Sequence, residues 1–448
     1  MYVEDPVPLA AIFPLPFRAL FLVALGVLGW ATNLHGLQLL GIDGPGLLEL
    51  QASSIQLPLR SPSPSSGGHP SARSFYMPLY RMFVAYTSWC FVAWFLFRAV
   101  TQSDATLADV FRYVPAVCIL GVVTALVCPY DILHKRERDC FFFSTAARCL
   151  FPASDSPVYF SDVVFADVLT SFAKVLGDMW LSLCMLLPGG SLLQPPPQDG
   201  WYQWILPSLM SLPYLIRLRQ CLIEYNSPTN SSRRPLFNAI KYASSFPVIF
   251  LSAAQRIVIS DLVQTHGDSV TQQGWHGEHP LFRLWLISCI INSLYSFWWD
   301  LTNDWGLCLL TRSSTNSRED QTLSSLDATR RCGASYPYGL RSVLLYPLSA
   351  YPMAIFLNFI LRMTWSIKLS SHLYSQSHGS VLIFWLEIAE VLRRWVWVFL
   401  RIEWETVKRG KDKAGPAENG LPSDDIELFD AHSKGEALIH GHSHAIAR

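Results

Sequence analysis

Apolar residues along this chain arrive in blocks of roughly 20, the length a helix needs to cross a hydrocarbon core about 30 Å thick. Nine blocks stand out, near 17–40, 77–99, 112–130, 160–187, 202–225, 236–258, 281–310, 342–370 and 381–405. The pattern predicts an all-α, polytopic membrane protein with about nine transmembrane helices. Pro207, Pro213, Pro247, Pro347 and Pro352 fall inside blocks and are expected to kink their helices. The polar stretch SPSPSSGGHPSARS at 61–74 reads as a flexible linker within an N-terminal helical region, 1–130. Residues 131–407 form the main membrane domain, and 408–448 read as a disordered cytosolic tail.

Lys and Arg then give the spans a direction. The segments 1–17, 101–111, 187–202, 257–282 and 369–392 contain no Lys or Arg at all and are expected to share one face. The alternate connections carry Lys135, Arg136 and Arg138; Arg233 and Arg234; Arg312, Arg318, Arg330 and Arg331; then Lys408, Arg409, Lys411 and Lys413. The positive-inside rule puts the N-terminus in a lumen and the C-terminus in the cytosol. On this topology the Asn230-Ser-Ser sequon faces the cytosol and stays unglycosylated.

Composition narrows the class further. Only 15% of the 448 residues are charged and the formal net charge is zero, so no nucleic-acid partner is implied. The ten cysteines lack CxxC pairs and disulfide spacing, and read as small buried hydrophobes. His440, His442 and His444 alternate in the polar tail without a second ligand set, so no metal site is expected, and no cofactor either. No nucleophile–base pair stands inside the spans, which argues against a membrane enzyme.

The candidate chemistry lies in the charges within apolar blocks, each costing at least a few kcal/mol in lipid. Asp167, Lys174 and Asp178 share one helical face of the fourth block. Arg217, Arg219 and Gln220 close the fifth, and Lys241 and Tyr242 open the sixth. Asn292, Ser296, Asp300 and Asp304 run at four-residue steps along the seventh. Asn358, Arg362 and Trp365 follow in the eighth; Glu390, Arg393, Arg394, Trp397 and Arg401 form a polar stripe in the ninth. Two readings stand side by side. One is a set of interhelical ion pairs that fix packing. The other is an anion conduit, in which arginine forks suit a tetrahedral oxyanion and carboxylates hold the arginines in place. By position alone Asp300 and Asp304 are marginal members, because they come late in their block.

The stretches IRLRQCLIEY (216–225), NAIKYASSFPVIF (238–250), NSLYSFWWDLTNDWGL (292–307), LNFILRMTW (357–365) and LEIAEVLRRWVWVFLRIEWE (386–405) resemble the EXS domain. So do CPYDILHKRERDCFFFSTAARCLF and FADVLTSF, at 128–151 and 165–172. The EXS family includes phosphate exporters with an N-terminal SPX sensor domain, and a shorter Golgi type; this chain looks like the short type. The resemblance implies a phosphate path through Asp167, Arg217, Lys241, Tyr242, Asp300, Asp304, Arg362, Trp365, Glu390, Arg393 and Arg394. It thereby retains the two marginal aspartates. Ile223-Glu224 and Thr170 depart from the family pattern, which has a basic pair and an asparagine there. The implied function is a Golgi membrane transporter returning inorganic phosphate to the cytosol, as a homodimer, with Trp365 or Trp397 as gate. From another class comes a non-transporting Golgi adaptor for glycosyltransferase recycling, its tail docking a coat or sorting adaptor.

Overall fold

The computed structural model describes residues 9–48, 73–102, 104–127, 144–151, 158–187, 189–193, 200–228, 230–266, 280–307, 309, 340–341, 343–364 and 376–413. Those belonging to the unit Met1–Lys408 are considered first, since Arg409–Arg448 form a second unit. All regular structure among the described residues is helical. The elements are α1 (Leu9–Ile12), α2 (Leu15–Leu39), α3 (Gly44–Leu47), α4 (Arg73–Thr101), α5 (Ala105–Val110), α6 (Tyr113–Val127) and α7 (Ser144–Leu150). Then follow α8 (Phe160–Ser171), α9 (Ala173–Leu186), a 3-10 turn (Gly200–Trp204), α10 (Ile205–Asn226), α11 (Arg234–Ala243) and α12 (Ser245–His266). The series ends with α13 (Pro280–Trp299), a π-helical turn (Asp300–Asp304), α14 (Ala350–Arg362) and α15 (Gln376–Lys413).

Every apolar block holds at least one helix, but length and hydropathy do not treat them alike. Among the described residues four helical stretches suffice to cross a membrane: Leu15–Leu39, Phe75–Thr101, Arg234–Ile259 and Pro280–Asp304. A fifth is the pair Phe160–Ser171 and Ala173–Leu186, bent by 60° at Phe172. α6 and α14 are apolar but short, and α10 and α15 carry too many polar residues to qualify. The expectation of about nine spans is therefore met in helix placement and not in span count.

The prolines behave differently from expectation. Pro207, Pro247 and Pro352 each occupy the third position of a helix, where the missing N–H forfeits no intrahelical bond. Pro213 lies inside α10, while Pro347 lies in the non-helical stretch before α14. The sharp bend in the fourth block instead needs no proline. Phe172 interrupts the ladder there, and its ring packs on Gly26 of α2, where a Cβ would lie 2.5 Å from the ring edge. α4 begins at Arg73, inside the expected linker; 61–72 lie outside the described residues.

An apolar core gathers Leu34 and Leu37 of α2, Val164 of α8, Leu301, Trp305, Tyr351 of α14, and Trp397, Val398 and Ile402 of α15. A second groups Phe17 and Leu20 with Phe97, Ala108, Cys118 and Met185. Many large side chains elsewhere face outward, such as Phe91, Phe95 and Leu96 on α4 and Ile287, Ile291 and Leu294 on α13. Such apolar exteriors suit lipid, which removes them from water at no cost in partners.

Candidate functional site

The first component forms where α8, α10 and α11 meet. α10 packs along both α8 and α11, and this brings two chemically distinct donors onto one carboxylate. Arg217 donates Nε to Asp167 Oδ1 at 3.0 Å, and the Tyr242 hydroxyl donates to the same oxygen at 2.5 Å. The Arg217 guanidinium also lies 4.8 Å from the Tyr242 ring centroid. Its other edge donates to Gln220 Oε1, and Gln220 in turn donates to the Asp162 carbonyl at 3.4 Å. All of Asp167, Arg217 and Tyr242 are buried.

The second component centres on Asp300, which has no exposed surface. Its Oδ1 accepts from Lys241 Nζ at 3.3 Å. Its Oδ2 accepts from Asn358 at 3.2 Å and from Arg362 Nε at 2.9 Å, with Arg393 3.8 Å away. Lys241 also pairs with Asp304 Oδ2 at 3.0 Å. The π-helical turn explains how both aspartates reach one amine. Its wider turn continues α13 inward, and Gly306 then ends it at φ 62°, a left-handed conformation suited to glycine. The late position of Asp300 and Asp304 in their block thus places them inside the protein.

The third component sits on α15. Arg393 chelates Glu390 through Nε at 2.9 Å and NH2 at 2.5 Å, and Glu390 Oε1 accepts from Ser171 at 2.8 Å. Arg394 points the other way, toward the last turn of α8. It donates Nε to Ser171 Oγ and NH2 to Thr170 Oγ1, both at 2.9 Å, and stacks 4.6 Å over Trp397. No carboxylate pairs with it among the described residues, and its NH1 is buried without a hydrogen-bond partner there.

Ten of the eleven path residues named from sequence thus converge on one buried network; Trp365 lies outside the described residues. The cations Arg217, Lys241, Arg362, Arg393 and Arg394 face the carboxylates Asp167, Asp300, Asp304 and Glu390. The imbalance is one positive charge, and Arg394 is the cation left over. Trp397 is fully buried, a platform beneath that guanidinium.

Other charges fall elsewhere. Lys174 and Asp178 pair one turn past the bend. Arg219 is exposed, and Arg401 pairs with Glu405 at 3.3 Å. Asn292 accepts from Ser244 and Ser245, tying α13 to the α11–α12 junction. Ser171 escaped the sequence reading, since a hydroxyl in an apolar helix carries no signal of its own. Arg341 and Glu403 were missed for a different reason. They form a buried pair, with Arg341 also donating to the Trp305 and Val343 carbonyls, but Arg341 lies where no regular element begins.

A family model described as the EXS family matches residues 13–407. "Protein ERD1 homolog 1" of Schizosaccharomyces pombe is 29% identical over 407 residues, covering 88% of this chain and 91% of that protein. "Protein ERD1" of Saccharomyces cerevisiae is 25% identical over 344 residues, 75% of this chain and 78% of that protein. "Solute carrier family 53 member 1" of Mus musculus is 28% identical over 307 residues, 65% of this chain but 39% of that protein.

Proposed function

The chain belongs to the EXS family, and from that premise we propose that it carries inorganic phosphate through the buried charge network. The direction we propose is from the Golgi lumen to the cytosol, down the phosphate gradient, with nine spans, a lumenal N-terminus and a cytosolic C-terminus. The observation that carries this reading is Arg394. A guanidinium in a water-poor interior is costly unless paired, yet here it has hydroxyl acceptors only and one nitrogen with none among the described residues. A packing device would be charge-balanced. A surplus buried arginine fits a mobile anion as its missing partner, and the planar fork matches phosphate oxygens.

The neighbouring cations suit a relay. Arg393, Arg362, Lys241 and Arg217 already hold carboxylates, so an incoming oxyanion competes with Glu390, Asp300, Asp304 or Asp167 for each in turn. Such exchange keeps every site moderate, and moderate sites release what they bind. The carboxylates also keep the arginines extended between passages. Protonated phosphate can donate a hydrogen bond to them, which sulfate in its dianionic form lacks. Trp397 stacks beneath Arg394, and the gate falls to Trp397 or Trp365. Ion handling of this kind accords with the solute-carrier name of the mouse relative.

Purified protein in proteoliposomes is expected to conduct labelled phosphate in preference to sulfate. Arg394→Ala should cut that flux by roughly ten- to a hundredfold, since hydrogen bonds to charged groups contribute about 1.5–3 kcal/mol. Folded wild-type protein without flux would remove the transporter reading and leave a membrane adaptor.

A further inference from the structure

A second group of charges lies outside the network just described, on α2, α9 and α15. Lys174, in the first turn after the 60° bend, pairs with Asp178 and stands 3.5 Å from Glu387 Oε1. The Asp178 and Glu387 carboxyls lie in electrostatic range of each other, and Arg18 lies in range of both. Arg18 Nε and Glu387 Oε1 are buried, and neither has a hydrogen-bond partner among the described residues. Lys174 keeps 36% of its side chain exposed, whereas Asp178 is buried.

This arrangement is poorly saturated. One amine is shared by two acids, and a guanidinium beside them holds no carboxylate in a bonded pair among the described residues. Ion pairs selected for packing would give Arg18 a fork-to-fork partner, as Arg148 has in Asp162 and Arg393 has in Glu390. Position adds a second argument. Glu387 precedes Glu390 by three residues and Arg394 by seven on α15, roughly 4.5 and 10 Å along the axis at 1.5 Å per residue. The group therefore continues the line of charges past Arg394 toward the helix ends at 15–18 and 376–380. Those ends adjoin the face that the sequence assigns to the poorly basic connections. Lys174 is also more exposed than either acid it faces, as an outermost contact should be.

We infer that Arg18 and Lys174 form an entrance station for the transported tetrahedral oxyanion, ahead of Arg394. Asp178 and Glu387 compete with the anion for Lys174, holding the amine in place when the station is empty. The station rests on the transport reading, because an entrance presupposes passage.

The test is the initial rate of phosphate uptake by proteoliposomes, measured against phosphate on the Arg18 side. Arg18→Gln and Lys174→Gln are expected to raise KM about tenfold while leaving the maximal rate within about twofold, the signature of lost binding rather than lost passage. Glu387→Gln moves the other way and lowers KM by about threefold, because it removes a competitor for the amine. A merely structural cluster predicts no such opposed shifts. Wild-type flux with KM unchanged in both Arg18→Gln and Glu387→Gln overturns the entrance station and spares the transport reading. Absence of wild-type flux overturns both. Should Arg18→Gln fail to fold, the direction of the Glu387→Gln shift decides alone.

Discussion

Asp300 answers Lys241, Asn358 and Arg362 with one carboxylate, and Arg393 stands just beyond bonding distance. Removing its charge leaves Arg362 without a carboxylate, while Lys241 and Arg393 keep Asp304 and Glu390. Breaking a buried pair from one side costs about 3–5 kcal/mol, so Asp300→Asn should lower the unfolding midpoint in detergent markedly. Tyr242→Phe is a gentler probe, since Asp167 keeps Arg217. It should cost about 1.5–3 kcal/mol, the net contribution of one hydrogen bond to a charged group, read by the same melt. At this scale the sequence was informative about which residues are charged and inside apolar blocks. It was silent on Ser171 and noted Thr170 only as a departure from the family pattern; their hydroxyls become the acceptors for Arg394 because α8 ends against α15.

Two irregularities in the helices do much to shape the site. The bend at Phe172 turns Thr170 and Ser171 toward Arg394 and sends Lys174 and Asp178 toward Glu387. The π turn at 300–304 delivers two aspartates to Lys241. Hydropathy saw neither, because a continuous apolar block looks the same whether its helix is straight or broken. The π turn ends on Gly306, where a Cβ would lie 2.4 Å from the Trp404 ring. Gly306→Ala must therefore accept a left-handed backbone, costing about 1–2 kcal/mol, and overpack the half-buried Trp404 indole. Thermal unfolding should show a loss larger than that figure. Adding Trp404→Leu should recover the packing part and leave the backbone part.

Across the whole chain, charge segregation in the connections makes a sharper statement than span counting does. Four helical stretches, or five with the bent pair, pass the length and hydropathy test. Of the rest, α6 and α14 are short, and α15 is made polar by Glu390, Arg393 and Arg394 of the network together with Glu387 and Arg401. The proposed orientation has a direct check in glycosylation. The Asn230 sequon is expected to remain unmodified in cells, whereas a sequon inserted within 267–279 should acquire a glycan, detected as a mobility shift removed by endoglycosidase. The opposite result would invert the protein in the membrane.

Period and composition by themselves determined the helical class, the positions of the helices and the charged residues held within them, because these follow from local hydrophobicity. The quoted motifs also sufficed to place the chain among EXS proteins, and the family match confirms that. Pairing belonged to the tertiary structure. Residues 50 to 224 positions apart, such as Asp167 with Arg217 or Thr170 with Arg394, meet only when helices pack. Which of the five network cations would lack a carboxylate was therefore unreadable along the chain. It depends on Asp300 and Glu390 being taken by Lys241, Arg362 and Arg393, and that allocation leaves Arg394 facing hydroxyls.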